Sequence, residues 1–87
     1  MPSVLVVDDE QFIVRLLRLT LQNAYDVFHA HDGSEALKLI REHQPDLVIL
    51  DVYMPGPSGL EVLSLLRQSE EFRRMRVIVL TGSAEQA

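Results

Sequence analysis

The chain of 87 residues has no cysteine and no tryptophan, and only four glycines and four prolines. Without cysteine, both disulfide staples and thiolate metal sites are excluded. Glycine and proline are too few and too scattered for a linker, and there is no internal repeat or low-complexity segment. Long hydrophobic runs are also missing: stretches such as Val4–Val7 and Val77–Leu80 are far too short to cross a bilayer. Met1-Pro2-Ser3 leads straight into an apolar run, so no signal peptide is expected and a cytoplasmic location is. Basic residues are scarce, with 8 Lys and Arg against 13 Asp and Glu and a net charge of -5, which disfavours nucleic acid as a direct partner. The one basic cluster, Arg73, Arg74 and Arg76, reads as a solvated helix end and loop. What the chain does have is a 47% hydrophobic share, enough for a packed globule. One domain over residues 1–87 is expected, close to the size at which a single core only just suffices.

The apolar pattern alternates between short buried runs and helical stripes. Val4–Val7 predicts a strand that ends in Asp8-Asp9-Glu10, acids that also suit a helix start. Gln11 to Gln22 predicts a helix with an unusually wide apolar stripe of Phe12, Ile13, Leu16, Leu17, Leu19 and Leu21. Tyr25–Ala30 predicts a second strand. Asp32 and Glu35 then stand at capping-box spacing before a helix whose core face is Ala36, Leu37 and Ile40 and which Pro45 ends. Leu47 to Leu50 runs into Asp51 as a third strand, and a proline- and glycine-containing loop follows. Leu60 to Gln68 predicts a third helix burying Leu60, Leu63 and Leu66 or their neighbours, and Val77–Leu80 a fourth strand ending at Thr81-Gly82-Ser83. The order β-α-β-α-β-α-β with short connections implies parallel strands joined by crossover helices.

In such a sheet the strand carboxyl ends share one edge, where ligands bind. Asp8 and Asp9 end the first strand, Asp51 the third and Thr81 the fourth. Carboxylates converging there repel one another unless a cation joins them, and hard oxygen ligands with open positions suit Mg²⁺. A carboxylate beside Mg²⁺ is a nucleophile suited to forming an aspartyl phosphate. The Thr81 hydroxyl and the Gly82 backbone N–H would hold the phosphoryl oxygens. The implied chemistry is acceptance of one phosphoryl group on Asp51.

These residues carry a resemblance. Asp8-Asp9 after VLVV, the pattern D-x-x-M-P-x-x-x-G at Asp51, Met54, Pro55 and Gly59, and Thr81-Gly82 after VIVL together resemble the receiver domain of two-component response regulators, over the whole chain. The resemblance implies a flavodoxin-like (CheY-like) α/β fold, with strand order 2-1-3-4-5 and helices on both faces. It implies that Asp51 takes the phosphoryl group from a sensor histidine kinase. Asp9, Asp51 and the Tyr53 backbone carbonyl would bind Mg²⁺ directly, and Asp8 mainly through water. Thr81 would move towards the phosphoryl group. Tyr53 reads either as a shield of that group against hydrolytic water or as an exposed loop aromatic. A signalling module rather than an enzyme follows.

The family pattern continues beyond the fourth strand with a helix, a fifth strand whose end carries a lysine, and a fifth helix. The only lysine here is Lys38, on the second helix. The chain is therefore expected to lack the fifth strand and helix, as a naturally short protein or as a fragment. An open fourth-strand edge and a bare first-helix face would then favour a homodimer. The alternative function is a degenerate receiver that binds partners without being phosphorylated. An aspartyl phosphohydrolase ranks lower, because Tyr53 stands where a second acid is wanted. His29 and His31 fall on one face of a strand and resemble half a metal site, but nothing in the sequence completes it, so both are expected to face solvent. His43 is a helix-end residue suited to the dipole.

Overall fold

The computed structural model describes residues 1–54 and 57–80. Its elements are β1 (Ser3–Val7), α1 (Gln11–Leu21), β2 (Asp26–Ala30), α2 (Gly33–His43), β3 (Leu47–Asp51), α3 (Gly59–Gln68) and β4 (Arg76–Leu80). The strands form one sheet in the order β2-β1-β3-β4, every pairing parallel. β1 is central, with Val7 opposite Ala30 on one side and Leu50 on the other.

The expected elements are all present, with small differences at their ends. β1 and β4 each begin one residue earlier than the apolar runs, at Ser3 and Arg76, because ladder hydrogen bonds accept a polar first residue. α1 stops at Leu21 rather than Gln22, and β2 starts at Asp26 rather than Tyr25, whose N–H still bonds to the Leu21 carbonyl as part of the turn.

Side-chain alternation divides the core. Leu5 and Val7 of β1, Val48 and Leu50 of β3, and Ala30 of β2 form a cluster with Ala36 and Ile40 of α2, Val62 and Leu66 of α3, and Phe72. Val4, Val6 and Ile49 are buried on the opposite face of the sheet, the face that α1 covers through Val14. The inward residues of α3 differ from expectation. Val62 and Leu66 are buried, Leu63 is half-buried, and Leu60 is 56% exposed. The helix begins at Gly59 with Ser58 as its N-cap. Ser58 accepts the Glu61 N–H while Glu61 accepts the Ser58 N–H, a full capping box that sets the helix phase. At α2 the box is half made: Asp32 accepts the Glu35 N–H at 2.8 Å, but the Glu35 carboxylate turns to the His31 backbone N–H at 2.7 Å.

Two glycines sit where no side chain fits. A methyl group on Gly59 would collide with the backbone of Asp51 and Val52, so α3 starts hard against the end of β3. One on Gly33 would stand 2.5 Å from the Pro57 carbonyl oxygen and 2.9 Å from a Val62 methyl, which ties the start of α2 to the loop after β3. Only Val14 of α1 is fully buried, whereas Phe12 (70%), Leu16 (50%) and Leu19 (60%) are exposed. The wide stripe read from the sequence is real, and much of it is uncovered.

The burial pattern of α3 sets a test. Leu66→Ala removes a side chain with no room for solvent and is expected to cost about 2–4 kcal/mol in urea unfolding, whereas Leu60→Ala is expected to cost less than about 1 kcal/mol.

Candidate functional site

The parallel register does the placing. Because Val7 stands opposite Leu50, the next residues, Asp8 just past β1 and Asp51 at the end of β3, come side by side at the carboxyl edge of the sheet. Asp8, Asp9 and Asp51 each offer a carboxylate oxygen, and these oxygens all lie within 4.8 Å of one another. Asp8 (4% exposed) and Asp51 (9%) are buried, and Asp9 is exposed. The expected convergence of these acids at one edge of the sheet is therefore what the structure shows.

Each buried carboxylate is held by local backbone. Asp8 Oδ1 accepts the Glu10 N–H at 2.8 Å, across the turn that enters α1. Asp51 Oδ1 accepts the Tyr53 N–H at 3.3 Å. The Val52 N–H bonds to the Leu80 carbonyl and the Gly59 N–H to the Val52 carbonyl, both at 3.1 Å. The chain after Asp51 is thereby fastened to β4 and to the start of α3. Tyr53 is 56% exposed on this loop, with its ring outward.

The electrostatics are unfavourable for the residues alone. Burial, with the charges of Asp51 and Asp9 adding to it, pushes the Asp8 carboxyl above its ordinary value, against the pull of the Glu10 N–H. Burial likewise raises Asp51, with Asp9 adding and the Tyr53 N–H opposing. Two buried carboxylates with oxygens within 4.8 Å of each other repel by at least about 3 kcal/mol at an effective dielectric near 20, a large share of a small domain's stability. No ion pair among the described residues relieves this: the two present join His31 to Glu35 and Arg73 to Glu70. The donor set is all oxygen, two of its members are desolvated, and it lacks a protein counter-charge. It fits a small hard divalent cation such as Mg²⁺.

The remaining expectations divide. Thr81 and Gly82 lie outside the described residues, as does Pro55 of the loop motif. Lys38 is exposed on α2. His43 is exposed and stacks on Phe28 at 4.5 Å between ring centroids. His29 corrects the reading of a solvent-facing pair: it is half-buried, with Nε2 enclosed, because it lies beneath α1. The capping box at Ser58 and the closeness of Gly59 to Asp51 also shape the site and were missed. The sequence signal S-x-x-E before an apolar stripe could have found the first.

Comparison with known proteins bears on the family and the fold. A family model described as response regulator receiver domain matches residues 4–87. The chain is similar to the polar-differentiation response regulator DivK of Brucella ovis, 40% identical over 83 residues that span 94% of this chain and 68% of that protein. It also resembles the crystal structure of chemotaxis response regulator CheY4 of Vibrio cholerae, with a TM-score of 0.87 and 35% identity over 99% of this chain and 74% of that one. The N-terminal domain of a response regulator receiver protein from Methanoculleus marisnigri gives a TM-score of 0.86 and 34% identity, over 91% and 65% respectively. The fold is thus the CheY-like, flavodoxin-like one.

The raised carboxyls have a signed consequence. A carboxyl that protonates more readily in the fold than in the unfolded chain weakens the fold once pH rises through the ordinary carboxylate range, and the penalty vanishes as pH falls below it. In metal-free solution at neutral pH, Asp51→Asn is therefore expected to stabilise the chain by about 1 kcal/mol, roughly 4–8 °C in Tm. The gap should close on acidification below about pH 4, as followed by thermal unfolding in EDTA.

Proposed function

Since the chain belongs to the response regulator receiver family, we propose that it is a phosphoacceptor of a two-component relay, with Asp51 taking one phosphoryl group from the phosphohistidine of a sensor histidine kinase. The observation that carries this reading is the meeting of Asp8, Asp9 and Asp51 oxygens within 4.8 Å, two of these residues being buried.

We assign Mg²⁺ to this cluster, held by Asp8, Asp9, Asp51 and the Tyr53 backbone carbonyl. When bound, the ion neutralises the carboxylates and the charge that builds on the transferring oxygens. The residues do the rest. The Tyr53 N–H occupies Oδ1 of Asp51 and leaves Oδ2 as the attacking atom. That oxygen forms a bond to phosphorus as the P–N bond to the donor imidazole breaks, and the electron pair of that bond departs with the imidazole, which then takes a proton. Asp8 and Asp9 keep the site acidic and anchored at the mouth of α1. The Thr81 hydroxyl and Gly82 N–H, directly after β4, are the groups we assign to the phosphoryl oxygens. Tyr53, exposed at the rim, shields the product from hydrolytic water. The carboxylate is modified rather than turned over, which makes the chain a signalling module and not an enzyme.

The test uses Mg²⁺ and acetyl phosphate with intact-mass detection. One acid-stable, base-labile phosphoryl group is expected on the parent chain, lost in Asp51→Asn and on chelation of the metal. A folded parent chain that takes no adduct overturns the proposal and favours a receiver that acts by binding alone.

A second proposal concerns self-association. Phe12, Leu16 and Leu19 stand at i, i+4 and i+7 on α1, and Ile78 of β4 is 50% exposed on the strand that, among the described residues, pairs only with β3. We assign these surfaces to a homodimer contact, so sedimentation at micromolar concentration should give a dimer. A well-folded monomer overturns it.

A further inference from the structure

The open edge of β4 carries a pattern that is its own complement. Val77 packs into the cluster shared with α2 and α3, so by alternation Arg76, Ile78 and Leu80 lie on the other face of the sheet. There Ile78 stands opposite Ile49, and Leu80 opposite Asp51. Ile78 is 50% exposed and Arg76 is exposed, whereas Ile49 beside them is buried. The Leu80 carbonyl accepts the Val52 N–H, which turns the backbone groups of Leu80, and by alternation those of Ile78 and Arg76, towards β3. Those of Val77 and Val79 point away from the sheet, and among the described residues no strand takes them up.

A second copy of the same strand fits this edge in one register. When it runs antiparallel about a two-fold axis at Ile78, Val77 of each copy exchanges N–H and C=O bonds with the partner's Val79, and every outward group of β4 is satisfied within the strand. An axis at Val77 or Val79 would instead pair Val79 with Met75, or Val77 with Thr81, outside β4. In the centred register Ile78 meets the partner's Ile78, and Arg76 comes opposite the partner's Leu80. Leu80 is itself opposite Asp51. Arg76 thus stands two strand spacings, about 10 Å between backbones, from the partner's Asp51 and on the same face, a span that its long stem can cross.

The two ends of β4 differ in charge. Its first residue is Arg76, shortly after Arg73 and Arg74, and Arg76 has no ion pair among the described residues. Its last residue lies beside the edge where Asp8, Asp9 and Asp51 gather, likewise without an ion pair among the described residues. A divalent ion offsets two of these three charges, so an arriving phosphoryl group still meets net negative charge. We propose that the chain works as an antiparallel β4–β4 dimer in which Arg76 of each copy reaches the acidic site of the other and donates its guanidinium N–H groups to the phosphoryl oxygens. A planar guanidinium matches such oxygens with two parallel hydrogen bonds. This role builds on Asp51 as the phosphoacceptor and narrows the homodimer contact to one register. The partner copy thereby completes the site as well as covering the edge.

Because the chain has no cysteine, single substitutions read the register directly. Ile78→Cys should give a disulfide-linked dimer on mild oxidation, while Arg76→Cys and Leu80→Cys should each fail to cross-link alone and do so when mixed. Labelling with acetyl phosphate and Mg²⁺, carried out on dimers locked by Ile78→Cys, reads the chemistry. Arg76→Ala should slow labelling by roughly tenfold or more, with Arg74→Ala at the rate of the locked parent. Asp51→Asn should take no label. A mixed dimer of Arg76→Ala with Asp51→Asn should regain labelling, confined to the Arg76→Ala chain, which keeps Asp51 and is served by the partner's Arg76. Failure of Ile78→Cys to cross-link overturns the proposal, as does an Arg76→Ala dimer labelled at the parent rate or a mixed dimer that regains nothing. A locked dimer that forms but takes no label, with the unlocked parent also unlabelled, overturns the phosphoacceptor reading and this role with it, so the two failures are told apart.

Discussion

The pairing of β1 with β3 is the constraint on which the molecule depends. Both strands are buried on both faces, and their parallel register fixes which residues stand side by side at the sheet's carboxyl edge. A slip of one residue would turn Leu5 and Val7 away from α2 and α3, and would also separate Asp8 from Asp51. The apolar core and the acidic cluster are thus set by the same hydrogen bonds. Core packing offsets the cost of gathering like charges, and those charges sit where the packed strands must end.

That coupling explains why so much was legible in the chain. An unbroken apolar run that stops at an acid is visible in sequence twice, at Val7-Asp8 and Leu50-Asp51, and parallel topology needs only short connections between helices and strands. The convergence of the acids follows from those two facts. The phase of α3 was harder to see. Leu60, Leu63 and Val62 are all apolar, and periodicity alone does not choose among them. The choice falls to Ser58, whose capping box starts the helix, and to Gly59, which lets that start press against Asp51. Both are effects of backbone placement, which hydrophobic pattern does not encode.

The histidines show the opposite limit. Their shared face was plain from spacing, but Glu35 was assigned by pattern to a box with Asp32. In the fold only the Asp32 half of that box forms, and the Glu35 carboxylate bonds to His31 instead. A carboxylate with two nearby donors goes to the one whose geometry is already set. Here that donor is the His31 amide, one residue past the end of β2.

The contact between Gly33 and Pro57 has a mechanical meaning as well. A side chain at position 33 would meet the Pro57 carbonyl, the Pro57 ring and a Val62 methyl, so glycine leaves no rotamer between α2 and Pro57 to absorb a displacement. Pro57 and the first turn of α2 therefore lie too close for any side chain at position 33. Any side chain other than glycine's at position 33 would have to push the two apart.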